Sequence, residues 1–402
     1  MKAKYIVLRS PDVVRDRGVE PARAMFAAAA PARISVNIEE FSPDKQHLVA
    51  NEKDVVGLAP AMQMKLVKPM GEPLAVAAAA GEASWGIKAV GADTSTMTGE
   101  DIVVAVLDTG IRPDHLAFNG VELIRENFTD DPNGDDTHGH GTHCAGTIFG
   151  RPVGGMRIGV APGIRKAVIG KVLGPGGGSS EDIVRAILWA CDEGAQIISM
   201  SLGIDYPGQV RRLIESGLPE DVATSRALEG YRANVALFER MAALIRAREM
   251  PALLVAAAGN ESRLNENPEW SIAVSPPAVS EGLISVAALG QGAQGLEIAP
   301  FSNFGALVSA PGVDIVSASK DSIDGLVTMS GTSMATPHVA GLAALWAQWL
   351  LKTVGRVSTQ TLYSKVTGAV EVDGLREGFD PVAIGGGIVL APQPKPAARQ
   401  GT

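Results

Sequence analysis

Three short stretches carry side chains that could do covalent chemistry. In Ser330-Gly331-Thr332-Ser333-Met334-Ala335-Thr336-Pro337-His338-Val339-Ala340-Gly341, small residues form a turn that presents Ser333, and an apolar, helix-compatible run from Met334 to Leu345 follows. A hydroxyl at the entry to a buried helix is held rigidly, beside backbone N–H donors and the partial positive charge of the helix start. A serine is not nucleophilic at neutral pH without a base, and the base needs a group to orient it. His140, within Thr137-His138-Gly139-His140-Gly141-Thr142-His143, is the candidate base. Asp108-Thr109-Gly110 closes an apolar run, where a carboxylate is costly unless it has a partner. An imidazole could be that partner: histidine takes the serine proton, and a buried aspartate fixes its tautomer and stabilises the imidazolium.

The elements that must position these groups follow from the hydrophobic pattern. From residue 85 the chain alternates helical segments with short, nearly all-apolar runs at Ile102–Leu107, Lys166–Leu173, Ala195–Met200, Ala252–Ala258 and Leu283–Ala288. Runs without polar alternation are those of strands covered on both faces, and their alternation with helices predicts an α/β fold with a mostly parallel central sheet. Ligands of such sheets sit at the carboxyl ends of the strands. Asp108, Ser201 and Asn260 all follow an apolar run directly.

Asp108-Thr109-Gly110, His140-Gly141-Thr142-His143 and Gly331-Thr332-Ser333-Met334-Ala335-Thr336-Pro337-His338 together resemble, in order, the three signatures of the subtilisin-like serine proteases. The resemblance spans roughly residues 84 to 390. It implies Ser333 as nucleophile, His140 as general base and then acid, and Asp108 as the residue orienting His140. Ala256-Ala257-Ala258-Gly259-Asn260 resembles the family's oxyanion segment, which implies the Asn260 amide and the Ser333 backbone N–H as donors, with Gly259 beside the substrate. Ser201-Leu202-Gly203 is similar to the wall of the pocket for the residue before the scissile bond. Gly174 to Ser179, with Gly177 among them, matches the edge that pairs with extended substrate backbone. The pocket base is matched by Ser275-Pro276-Pro277-Ala278, where the family commonly has a glycine.

Plainer readings stand beside these. Ser333 alone could be a turn residue, Asp108 a helix cap and Asn260 a self-bonded turn; their concordance in three motifs favours the site. His138, His140 and His143 could suggest a metal cluster, but the glycines between them suit a turn and no helical zinc motif accompanies them. His143 and His338 are expected in helix packing, and Cys144 as a buried, inert thiol. No cofactor is expected. The family's tight calcium site is not matched, since the corresponding stretches, His115-Leu116-Ala117-Phe118 and Phe149-Gly150-Arg151-Pro152-Val153-Gly154, lack the oxygen ligands.

Length and composition bound the rest. The 402 residues allow one large domain and a small one, and 46% hydrophobic content is ordinary for a globular chain. A net charge of −9, no long basic run and 4% aromatic residues argue against a nucleic-acid partner. Tyr5-Ile6-Val7-Leu8 is too short for a signal-peptide core, no segment offers a membrane span, and the two cysteines suggest no disulfide scaffold, so a cytoplasmic protein is the expectation. Residues 1–73 read as a small α+β unit, with strands at Lys4–Leu8, Arg33–Phe41 and within Val55–Val67, and helices at Pro21–Ala29 and Pro43–Asp54. Residues 74–84 read as a low-complexity linker, 85–390 as the main domain with a helical insertion at 205–250, and 391–402 as a frayed tail.

The family resemblance gives the N-terminal unit the role of a prosegment that occupies the cleft. This implies a zymogen or self-inhibited serine endopeptidase with the unit as intramolecular inhibitor, Pro69–Ser84 passing near the active site, and a protein or peptide as substrate. A peptide-maturing protease or transpeptidase, in which an amine replaces water, and a non-catalytic binding module are the alternatives.

Overall fold

In the computed structural model, which describes residues 2–10 and 34–394, the chain opens on a small antiparallel sheet. Strands β1 (Ala3–Arg9), β2 (Ser35–Phe41) and β3 (Val55–Pro60) pair in the order β2-β1-β3. The expected helix at Pro21–Ala29 lies outside the described residues. The one expected at Pro43–Asp54 is shorter: a 3₁₀ turn at Pro43–Lys45 leads into α1 (Gln46–Ala50), and turns fill the rest. Two further strands follow, β4 (Gln63–Leu66) and β5 (Met70–Val76). The expected linker is therefore a strand as far as Val76. A short helix, α2 (Trp85–Ala89), begins the main body.

The central sheet then builds in βα steps. Strands β6 (Val103–Asp108) and β7 (Glu122–Asn127) precede helix α3 (His140–Phe149). Next come β8 (Lys166–Lys171), the two-residue β9 (Gly178–Ser179), helix α4 (Ser180–Asp192), β10 (Ile197–Met200) and the short β11 (Leu202–Ile204). The expected insertion is two helices, α5 (Tyr206–Glu215) and α6 (Glu220–Arg246), followed by β12 (Leu253–Ala257) and β13 (Leu283–Gly292). After β14 (Gly295–Ile298), β15 (Val308–Pro311), β16 (Ile315–Ala318) and β17 (Leu326–Ser330) comes helix α7 (Thr332–Val354). Helix α8 (Thr359–Gly368), strand β18 (Val370–Glu371), helix α9 (Pro381–Ile384) and strand β19 (Ile388–Val389) close the described chain. The sheet order is β18-β19-β15-β13-β12-β10-β6-β8-β7, parallel from β19 to β7, with β14 and β18 antiparallel to their neighbours.

The alternation of side chains along each strand divides the core into two layers. Val104 and Val106 of β6 join Val255 of β12 and Ile284 of β13 in one layer, packed beneath α3 and α7. Ala105 and Leu107 join Leu254 and Ala256 in the other, beneath α4 and α6. Both faces of the sheet are covered, which is why its strands carry no polar alternation.

Helix α6 does more than cover the sheet. Leu237, Phe238 and Met241 share the second layer with Ile6, Leu8, Val56 and Ala59, so the N-terminal sheet lays its apolar face on the insertion. Asn234 Nδ2 donates to Pro60 O at 2.9 Å at the edge of this contact. The far end of the chain is also pinned where fraying was expected: Ala391 N donates to Val90 O at 2.9 Å and Gln393 Nε2 to Gly91 O at 2.9 Å. Residues 395–402 lie outside the described chain.

One buried cation stands out. Lys171, at the end of β8, is 1% exposed, and its ammonium donates to Asp131 Oδ2 at 2.8 Å and to the carbonyl oxygens of Asn133 and Asp135. It ties down the loop that leads to α3. Among the described residues, no helix is long and apolar enough to cross a membrane.

Candidate active site

Strand β6 delivers Asp108, and the start of α3 delivers His140 beside it. Asp108 Oδ1 accepts a hydrogen bond from His140 Nδ1 at 2.7 Å and another from Thr109 N at 2.8 Å. With Nδ1 donating, the neutral ring presents Nε2 as the acceptor, the atom a general base needs. The approach is close because the residue after His140 has no side chain: a Cβ on Gly141 would lie 2.1 Å from Gly110 O. Burial alone would lower the His140 pKa. The Asp108 carboxylate outweighs it and holds the ring well above the ordinary histidine value.

Asp136, unremarked in the sequence, locks this arrangement. Its Oδ1 accepts from Thr109 Oγ1 (2.8 Å), His138 N (3.0 Å) and Gly139 N (2.7 Å). Its Oδ2 accepts from Thr142 N (2.8 Å) and Thr142 Oγ1 (2.7 Å). One carboxylate thus satisfies two of the open N–H groups at the start of α3, those of Gly139 and Thr142, and ties them to Thr109 at the end of β6, whose Oγ1 accepts from Gly141 N. Asp136→Ala is expected to lower kcat by about 10²-fold with little change in KM, because a misplacement of about 1 Å carries a cost of that order. Steady-state kinetics checks this; an unchanged kcat would show that His140 is positioned without it.

Helix α7 delivers Ser333 in its first turn, and Pro337 explains two of the neighbours. Proline has no N–H, so the Ser333 carbonyl loses its intrahelical partner four residues on. Ser201 Oγ donates to that oxygen at 3.2 Å and Cys144 Sγ at 3.4 Å. Burial pushes the Cys144 thiol pKa up, which keeps it a donor. Asn260 approaches from the end of β12: its Oδ1 accepts from Thr332 N at 2.9 Å and Thr332 Oγ1 at 2.8 Å, which aims its amide at the cleft. Gly259 lies behind it, donating to Thr332 Oγ1 at 3.1 Å and accepting from Asn303 N at 3.1 Å. These bonds tie Gly259 to the residues that support the site.

The cleft is filled by the chain itself. Strand β4 lies antiparallel between β11 and β9, with Lys65 paired to Gly203, Leu66 to Leu202 and Met64 to Gly178. Val67 N donates to Ser201 O at 3.4 Å. Gly177, at φ +86°, leaves room for this strand, since a Cβ there would lie 2.7 Å from Met64 O. A Cβ on Gly203 would lie 3.0 Å from Ser275 Oγ and 3.9 Å from Val67 Cγ2. Met64 and Val67 are buried.

At the candidate catalytic groups the fit is offset. Ser333 Oγ donates to Val67 O at 2.9 Å, whereas Asn260 Nδ2 donates to the next carbonyl, Lys68 O, at 2.8 Å. His140 Nε2 has no hydrogen-bond partner among the described residues. The serine proton thus points at the carbonyl oxygen instead of the base, and Pro69 follows directly. The passage near Ser333 begins at Val67, slightly earlier than the Pro69–Ser84 expected from the sequence. From Met70 the chain leaves along β17, pairing Leu74 with Thr328 and Met70 with Ser330.

The remaining histidines do not converge. His143 Nε2 bonds Ile315 O and His338 Nδ1 bonds Met334 O, each at 2.8 Å, and burial pushes their pKa values down to about 3 and about 4. The His138 ring lies 6.2 Å from that of His140. The loop after α3 does not fit a calcium ion, because the Arg151 guanidinium already donates to the carbonyl oxygens of Phe149, Pro162 and Ile164. Cys144 and Cys191 are free and buried.

Residues 99–369 match the profile of the Subtilase family. A thermophilic serine proteinase of Bacillus sp. (strain AK1) is 35% identical over 260 residues, 63% of this chain and 53% of that protein. An intracellular serine protease of Paenibacillus polymyxa is 35% identical over 257 residues, 62% of this chain and 68% of its own. The major intracellular serine protease of Bacillus subtilis (strain 168) is 35% identical over 256 residues, covering 61% and 68%. The chain spans about half to two thirds of the length of these relatives. With the profile matched over both strand-end signatures and the serine helix, the chain belongs to the subtilase family.

Proposed function

We propose that this chain is a serine endopeptidase that hydrolyses peptide bonds through an acyl-enzyme at Ser333, and that it is made as a zymogen or self-inhibited form. The observation that carries the reading is the hydrogen bond from Ser333 Oγ to Val67 O, made by an extended segment that lies in the cleft as a strand. A site that holds a backbone carbonyl against its serine is shaped for peptides.

In the working cycle, Ser333 Oγ attacks the carbonyl carbon of the residue in Val67's place while His140 Nε2 takes its proton. Asp108 holds the ring and stabilises the imidazolium. The Asn260 amide and the Ser333 N–H stabilise the oxyanion. The C–N bond breaks as His140 returns the proton to the leaving amine, and water, activated by the same ring, releases the acyl group.

In the resting chain the Asn260 amide holds Lys68 O, one residue past the carbonyl at Ser333, so attack and oxyanion stabilisation address different peptide groups. Residues 1–73 act as the intramolecular inhibitor, docked on α6 through their sheet and on the cleft through β4. A cytoplasmic setting is supported by the intracellular serine proteases among the relatives and by two free cysteines.

Mass spectrometry of native and Ser333→Ala chains incubated side by side tests the zymogen form. A product that begins at or after Lys68 is expected only from the native chain. Identical full-length masses would remove self-processing and leave the uncut tether as the means of control.

A further inference from the structure

The segment in the cleft places one side chain against two acids that the family resemblance does not assign. Lys65 Nζ lies 3.0 Å from Glu261 Oε1 and 3.9 Å from Asp205 Oδ1. Both carboxylates are also held by groups other than the lysine. Glu261 Oε2 accepts from Asn303 Nδ2 at 2.8 Å, and Asn303 Oδ1 accepts from Glu261 N at 3.0 Å. Asp205 caps α5 by accepting from Gly208 N at 3.2 Å, and Arg212 lies 3.5 Å from its other oxygen. Beside them is a cavity of about 420 Å³ lined by Lys65, Ile204, Tyr206, Tyr231 and Ser275 among others. Apolar walls with the Glu261 carboxylate among them, and Asp205 on the other side of the lysine head, suit a side chain with an aliphatic stem and a cationic head.

We propose that Asp205 and Glu261 form a subsite for Lys or Arg at the third residue before the bond to be cut, so that the substrates are extended peptides with a basic residue at that place. The position follows from the register: Lys65 pairs with Gly203, and Val67, two residues on, presents its carbonyl to Ser333. The 205–250 insertion thereby has a second task, since Asp205, Tyr206 and Tyr231 all come from it. This inference rests on the reading that Ser333 cuts after the residue in Val67's place.

The pair is about a third exposed on each side, so its effect is modest and sensitive to salt. Selection of Lys or Arg over Gln by roughly two- to five-fold is expected, since exposed ion pairs contribute on that scale.

Two arms on the full-length chain test it. In the first, the Met64→Glu chain, in which the strand that fills the cleft is loosened, digests a peptide library and the cut sites are read by mass spectrometry. Basic residues should be enriched at the third residue before the cut, and the enrichment should vanish in Glu261→Gln and at high salt. In the second, with Ser333→Ala to prevent cutting, hydrogen exchange of the residue 63–67 amides is compared across variants. Protection should survive Lys65→Arg, fall in Lys65→Glu, and return when Lys65→Glu is combined with Glu261→Lys. A library that the opened chain does not cut at all would overturn the peptidase reading, while the exchange series would still decide whether the acids hold a cation at this position. Cutting without enrichment, or enrichment that persists in Glu261→Gln, would overturn the subsite. Exchange unchanged across the series would overturn it too.

Discussion

Ser333→Ala is expected to reduce peptide hydrolysis by about 10⁶-fold, a magnitude established on subtilisin rather than read from this chain. The comparison belongs in a background whose cleft is open, because the native chain presents its serine to Val67. The substitution should leave the fold intact. Among the described residues Ser333 Oγ bonds only the occupying segment, and the carbonyl held by Ser201 and Cys144 is unaffected by loss of the side chain. A loss of only a few-fold would mean that another group carries the reaction. What hydrolysis remains should come from the oxyanion donors and from substrate binding alone.

Asp108→Asn is expected to lower kcat by about 10⁴-fold, as the same exchange does in another serine protease. The amide can donate to Nδ1 and favour the wrong tautomer, leaving Nε2 protonated and unable to accept from Ser333. A second signature separates this from simple damage. Hydrolysis needs neutral His140, so the rate rises as pH passes through its pKa. That pKa is raised by Asp108, which outweighs burial, so activity of the native site begins above the ordinary histidine range. Removing the carboxylate lets burial pull the pKa down, and the residual activity should begin at lower pH. A pH–kcat/KM profile that does not move would show that Asp108 is not the charge that sets His140.

The chemistry was legible because Asp108 and Asn260 close apolar runs and Ser333 opens one, and a polar residue at such a place has few roles. Asp108 after β6 and Asn260 after β12 are exposed by contrast with what precedes them, and Ser333 by the helix that follows it. Asp136 had no such contrast: it sits among Asp130, Asp131, Asp135 and other loop residues, and only folding shows that it gathers the N–H groups of α3. Lys171 reads as a solvated strand end, yet its ammonium is enclosed by loop oxygens that come from some forty residues earlier.

The least legible feature is β4. Gln63-Met64-Lys65-Leu66 is too short to declare a partner, and its pairing with β9 and β11 depends on a cleft assembled from distant strands. The start of the expected linker, Leu74–Val76, misleads for a related reason. The small residues from Leu74 on suggest irregular chain, but β17 offers an open edge, and the edge strand β5 that pairs with it tolerates Pro73. Helices in the insertion follow from pattern, whereas the apolar surface that α6 gives the N-terminal sheet needs both partners in view.

The central claim is that a working serine site lies behind a strand of its own chain. Met64, fully buried in that strand, is the point at which to loosen it. Burying a methionine side chain contributes about 1.5–3 kcal/mol, so placing a carboxylate there should raise the open fraction by roughly 10- to 100-fold. The measurement is the rate at which a fluorophosphonate probe labels Ser333 in the native and Met64→Glu chains, with Ser333→Ala as the blank. The account predicts slow labelling of the native chain, labelling at least about tenfold faster in Met64→Glu, and none in Ser333→Ala. Equal rates in the native and Met64→Glu chains, or an opened chain that never labels, would contradict it.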